Sequence, residues 1–285
     1  MAKVAKAKTT SCIFCGKATT EDSIEHIVSE SLGNKLYILD KRAICRGCNN
    51  RFSKFEAKAI PNTILGYERS RMNISTKKGK PGSGSTGHLK MSAMPEKGKN
   101  FIYLKGLKKE DVVNVHPDGK TFQVVVPGFN KDSEAATVKF LLKVGMEALH
   151  QSQPELYDEY DFTDLKRYLL AQDNADWPFI STSKTSDQFY QIPRGTDITR
   201  LKGIECDLTY AETENELLFR FKYGGAIFVI NLLGRDRKWI QRYIDEDANS
   251  MVYPAALRKH FTGLKLPKAA AKVAKAIPKK GAGKP

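Results

Sequence analysis

The sequence predicts an α+β protein: a short metal-clasped ββα unit at the N-terminal end, then a larger α+β module carrying an antiparallel sheet. Three observations lead there. Cys12-Ile13-Phe14-Cys15 and Cys45-Arg46-Gly47-Cys48 bracket two short apolar runs with a turn between them. After Cys48 the apolar spacing lengthens to three and four residues, the period of a helix. Beyond residue 61 the elements come as strands, then helices, then strands again, without βαβ alternation.

A Cys-x-x-Cys turn presents two thiolates to one ion, and two such turns close a four-cysteine tetrahedral shell of the structural zinc type. Cys12, Cys15, Cys45 and Cys48 are therefore expected to hold Zn2+, with Gly16 and Gly47 easing the turns. Two disulfides are the competing use. The start, Met1 to Lys8, lacks the apolar core of a signal peptide, so a reducing cytoplasmic location is expected instead. The gap between the pairs is longer than in a simple zinc ribbon and holds Glu25-His26.

Within that insert, residues 23–28 suit a strand, 31–34 a turn and 37–39 a second strand. Phe52, Phe55 and Ala59 then mark one face of a helix that Pro61 stops. A short helix is expected over 62–71 and a flexible basic loop over 76–87. Strands follow at 88–93 and 101–105, and a hairpin over 112–126 turns at Asp118-Gly119. Helices are expected over 133–150 and 163–171, with Pro154 ending the first. A loop rich in Ser, Thr and Asp follows Trp177. Strands at 204–211, 217–223 and 226–233 and a helix over 237–244 complete the order. Cys206 reads as a small buried filler and His116 as structural. The division expected is a basic tail over 1–10, the metal unit over 11–61, the α+β module over 62–262 and a Lys/Ala/Pro-rich tail over 263–285.

The series Cys-x-x-Cys, Glu25-His26, Cys-x-x-Cys-Asn49 resembles the HNH endonucleases with the ββα-metal fold, over about residues 10–60. The resemblance implies that His26 is a general base and that Glu25 and Asn49 hold a divalent ion, Mg2+ or Mn2+. It also implies that an Asn of the intervening loop, here Asn34, orients the histidine. The family more often carries Asp where this chain has Glu25. The residue chemistry agrees. Histidine is suited to take a proton from water near neutral pH. Carboxylate and amide oxygens suit a hard cation, whereas four thiolates leave zinc no open position. The expected substrate is DNA, in a prokaryotic or phage setting. A non-catalytic zinc module that binds nucleic acid would share the cysteines and the basic arms.

Composition is consistent with either reading. The chain has 285 residues, 41% hydrophobic, enough for a real core, and no run long enough to span a bilayer. Its net charge is +15, and ten lysines of the two tails account for all but +5 of it. Ala-Lys-Val-Ala-Lys-Ala occurs in both tails, at 2–7 and 271–276. Such segments bury no core but can contact phosphates in any sequence context. No membrane partner is expected, and the sequence is compatible with a homodimer.

Overall fold

The computed structural model describes residues 11–19, 24–76, 78–124, 129, 131–171, 175–183, 187–193, 200–201 and 204–265. Residues 1–10 and 266–285 of the two tails, Ser23 and residues 125–126 of the expected hairpin lie outside them. The described chain is α+β, built from helices and antiparallel sheets with no closed barrel.

The segment between the two cysteine turns is a minimal hairpin. His26 bridges Ile38, with Ile27 N donating to Tyr37 O at 3.2 Å and Leu39 N to Glu25 O at 2.9 Å. Helix α1 (Arg46–Ala59) follows, with Cys45 as its N-cap and Phe52, Phe55 and Ala59 buried as the spacing predicts. It opens three residues before Asn49, and Gly47 is helical. Of Gly16 and Gly47, Gly16 alone takes a turn conformation that favours glycine, with φ +70.

Helix α2 (Ile64–Arg71) packs on a small antiparallel sheet of β1 (Ser83–Thr86), β2 (Leu89–Ala93) and β3 (Ile102–Lys105). Strand β1 corrects part of the flexible loop expected at 76–87. Gly84 lets the strand lie against the chain at Pro61, where a Cβ would come within 2.6 Å of the Pro61 carbonyl oxygen. A hairpin of β4 (Val112–Val115) and β5 (Phe122–Val124) turns at Asp118-Gly119 as expected.

Helix α3 (Lys131–Ser152) is the central element of the module. Helix α3 ends at Ser152, just before Pro154, as expected. Pro154 itself occupies the first turn of a further short helix, α4 (Pro154–Glu159), where its missing N–H costs nothing. Helix α5 (Thr163–Leu170) follows as predicted.

A second sheet runs in the order β12-β6-β11-β10-β9-β7. Its strands are β6 (Phe179–Ser181), β7 (Tyr190–Gln191), β9 (Ile204–Thr213), β10 (Glu216–Tyr223), β11 (Ala226–Asn231) and β12 (Met251–Tyr253), and β8 (Arg200–Leu201) pairs with β9. Strand β6 corrects the loop expected after Trp177. At three residues it is too short to show a period, yet Phe179 and Ile180 are wholly buried between β11 and β12. Helix α6 (Lys238–Glu246) covers one face through Trp239, Ile240, Tyr243 and Ile244.

Helix α3 covers the other face and also packs on α1. One apolar core is therefore continuous from Cys12 through Phe52, Phe140 and Phe219 to Tyr253. Cys206 is wholly buried in it, as its role as filler requires. No helix among the described residues is long and apolar enough to cross a membrane.

Candidate metal centre and adjoining hairpin

The first cysteine turn is closed by Gly16 N donating to Cys12 O and Cys12 N to Lys17 O, both at 2.8 Å. Ile13 N reaches Ala43 O at 2.9 Å and joins the two turns. The second pair sits on the first turn of α1, where Cys45 Sγ accepts from Cys48 N at 3.4 Å. Unpaired N–H groups at a helix start favour thiolates.

All four Sγ atoms lie within 4.8 Å of one another, and Cys15 and Cys45 are 3.7 Å apart. Zinc bonds of about 2.3 Å in a tetrahedron require sulfurs about 3.8 Å apart, so the donor set fits Zn2+. A hydrogen bond from Cys48 draws the Cys12 thiol down to about 4, and the same contact pushes Cys48 up. Cys12 and Cys48 are buried beside Phe14 and Phe52, whose rings meet edge-on at 4.6 Å. Loss of the ion would thus loosen one edge of the common core. Cys45→Ala is expected to remove bound zinc and lower the melting temperature. Well-folded wild-type protein with no zinc by metal analysis would refute this role.

Glu25 and His26 lie on the hairpin that bridges to Ile38. The imidazole of His26 is half-buried and has no hydrogen-bond partner among the described residues. Asn49 is half-buried in the first turn of α1, and its side chain is likewise unpartnered there. Asn49, Phe52 and Glu56 follow at helical spacing and share the inward face of α1.

Glu25 is brought to that face by a residue outside the hairpin. Lys143 of α3, wholly buried, donates to Glu25 Oε1 and to Glu56 Oε1, the latter at 2.8 Å. Its Nζ is also 3.3 Å from Glu147 Oε2. Burial acts most strongly on Lys143 and pushes its pKa down, but the surrounding carboxylates outweigh it and the amine stays charged. Burial likewise pushes the Glu147 carboxyl far above the usual range, more than Lys143 lowers it, and neither of its oxygens makes a hydrogen bond. The second oxygens of Glu25 and Glu56 have no protein partner among the described residues. Carboxylate oxygens of this kind are the donors that a hard cation prefers, and Asn49 lies two helical turns from Glu56 on α1.

Asn34 is wholly buried and directs all its bonds inward. Its amide donates to Val28 O and Tyr37 O at 2.7 and 2.8 Å, and its carbonyl accepts from Leu36 N and Tyr37 N at 3.1 and 3.0 Å. It therefore fastens the two hairpin arms that carry His26 and Ile38 and has no bond left for another group.

The module holds the hairpin from outside. Tyr37 Oη contacts Ser152 Oγ at 2.8 Å and donates to Ala148 O at 3.3 Å, and burial lifts its pKa to about 12, so the phenol keeps its proton. Asp40 and Gln151 exchange two hydrogen bonds, at 2.7 and 2.9 Å. Tyr223 of β10 donates to Leu32 O at 2.8 Å.

Lys143, Glu56 and Glu147 escape a reading by motif. The signal available was the pair Lys143 and Glu147, four residues apart on a helix face otherwise made of Phe140, Leu141 and Val144. Along the outer side of α1, Arg51, Lys54 and Lys58 line a cleft against α3.

Residues 12–64 match the family model of the HNH endonucleases. No curated protein and no solved structure matches the chain.

Proposed function

We propose, from this HNH endonuclease match and the clamped hairpin, that the protein is a metal-dependent endonuclease hydrolysing phosphodiester bonds of DNA. The observation that carries the proposal is the adjacency of an unpartnered, half-buried His26 to Glu25, whose carboxylate is held by Lys143 of α3 together with Glu56 of α1, on a hairpin flanked by the two cysteine pairs. His26 takes the proton of the attacking water. Glu25 and Asn49 hold a divalent ion, Mg2+ or Mn2+, and Glu56 shares with Glu25 the contact to Lys143. When bound, such an ion supplies counter-charge to the phosphoryl and leaving oxygens. Asn34 keeps the hairpin in register and acts only through it. Zn2+ is structural.

Arg51, Lys54 and Lys58 give α1 a basic outer side suited to a phosphate backbone, and the lysine-rich tails add contacts independent of sequence. One observation favours a second reading, a non-catalytic zinc module that binds nucleic acid: Glu25 already has a cation, Lys143.

Incubating the purified chain with supercoiled and linear DNA in Mg2+, Mn2+ or chelator separates the two. The nuclease cleaves with either ion and stops in chelator. Glu25→Gln and Asn49→Ala are expected to raise the Mn2+ concentration needed for half-maximal cleavage, with partial rescue at high Mn2+. Binding without cleavage under every condition would establish the second reading.

A further inference from the structure

We propose that the outer face of the β1–β3 sheet is a platform for a nucleic-acid strand with unpaired bases. Lys90 and Lys105 contact its phosphates and Tyr103 stacks on a base. The inference rests on the nuclease reading for its substrate class but concerns a surface outside the residues that match the family.

In the register of β2 and β3, Lys90 stands directly opposite Lys105, and Ser92 opposite Tyr103. Residues opposite one another in an antiparallel pair share a face. The other face buries Leu89, Met91 and Ala93 on the side that packs with α2. Lys90 and Lys105 are exposed, and neither has a carboxylate partner among the described residues. Like charges directly opposite in a sheet destabilise it, so the pair is a cost to the free protein that a polyanion would relieve.

Tyr103 is 58% exposed, and Phe101 at the start of the same stretch is 51% exposed. Exposed aromatic rings among lysines are the composition that holds single strands: the cations track the backbone while bases stack on the rings. The charge is local. Between Thr76 and Asp111 nine lysines stand against three acids, an excess larger than the +5 that remains for the whole chain once the tails are set aside. That charge also excludes the chain's own basic tails as occupants.

The test uses the full chain in chelator, so that binding is read without cleavage. Fluorescence anisotropy compares a labelled single-stranded oligonucleotide with a blunt duplex of the same length, over a salt titration. The wild type is expected to bind the single strand more tightly through this face. The double variant Lys90→Thr/Lys105→Thr is expected to weaken that binding and flatten its log–log salt slope by about 1.4, two phosphate contacts' worth. It should also raise the melting temperature, because the like-charge pair is gone.

Tyr103→Ser is expected to weaken single-strand binding roughly 5- to 100-fold with the slope unchanged, and to leave duplex binding as it was. Higher stability with unchanged affinity in the double variant would overturn the proposal, leaving a solubilising face. Equal loss for single strand and duplex on Tyr103→Ser would overturn the stacking contact. A chain that binds single strands in this way yet cleaves no DNA with Mg2+ or Mn2+ leaves the platform standing and removes the nuclease reading.

Discussion

His26→Ala is expected to lose about 10²- to 10⁴-fold of DNA cleavage, the usual worth of a positioned general base, while keeping zinc, fold and DNA binding. The structure makes this a clean substitution. The imidazole is half-buried, belongs to neither apolar cluster and makes no hydrogen bond to the described residues. The contribution of residue 26 to the hairpin is the backbone bridge to Ile38, which alanine makes equally well.

Zinc content, melting temperature and oligonucleotide affinity should therefore match wild type. The deficit should lie in turnover, which single-turnover kinetics at saturating enzyme would show. If His26→Ala cleaves like wild type, the assignment of this histidine is wrong, whatever the cysteines hold. Glu25→Ala would be a poorer probe, because it leaves Lys143 short of a buried partner and mixes folding with metal binding. Glu25→Gln keeps the shape and is preferred.

Lys143→Met is expected to cost about 3–5 kcal/mol of stability, the range for removing one partner of a buried ion pair. Methionine fills nearly the same space, so the cost comes from the charges left behind. Glu25 and Glu56 would face each other with no cation between them. Their response is to take up a proton, spread apart or recruit water, and each loosens the contact between the hairpin, α1 and α3.

Glu147→Gln should be mild by comparison, because burial raises that carboxyl's pKa and favours the neutral form that glutamine resembles. The sign of its pH dependence follows from its raised pKa. The group favours the folded state at pH below its unfolded value, and the contribution is lost as pH rises toward the folded value. Glu147→Gln should therefore remove a component of stability that declines above the ordinary carboxylate range. Urea denaturation of the three proteins across pH checks both statements. A Lys143→Met protein as stable as wild type would show that the cluster is not ionised as described.

What the sequence by itself determined is local. The four cysteines, the acid-histidine pair and the asparagine after Cys48 could be read without coordinates, because two-residue spacings within tight turns and helical spacing on α1 dictate which atoms face the same way. Long periodic elements were legible for the same reason, as in α3 with its apolar face and in β9, β10 and β11 with their tight connecting turn. The short strands β1, β6 and β12 were not, since three or four residues carry no period and are made strands by their neighbours.

Only the tertiary structure decided how the hairpin that carries Glu25 and His26 is held. Tyr37 is tied to α3 across 115 positions, Tyr223 to Leu32 across 191 and Lys143 to Glu25 across 118. Nothing local marks such partners. A buried lysine has low energy only where carboxylates from other elements converge on it, and that convergence exists only once α1, α3 and the hairpin share one core.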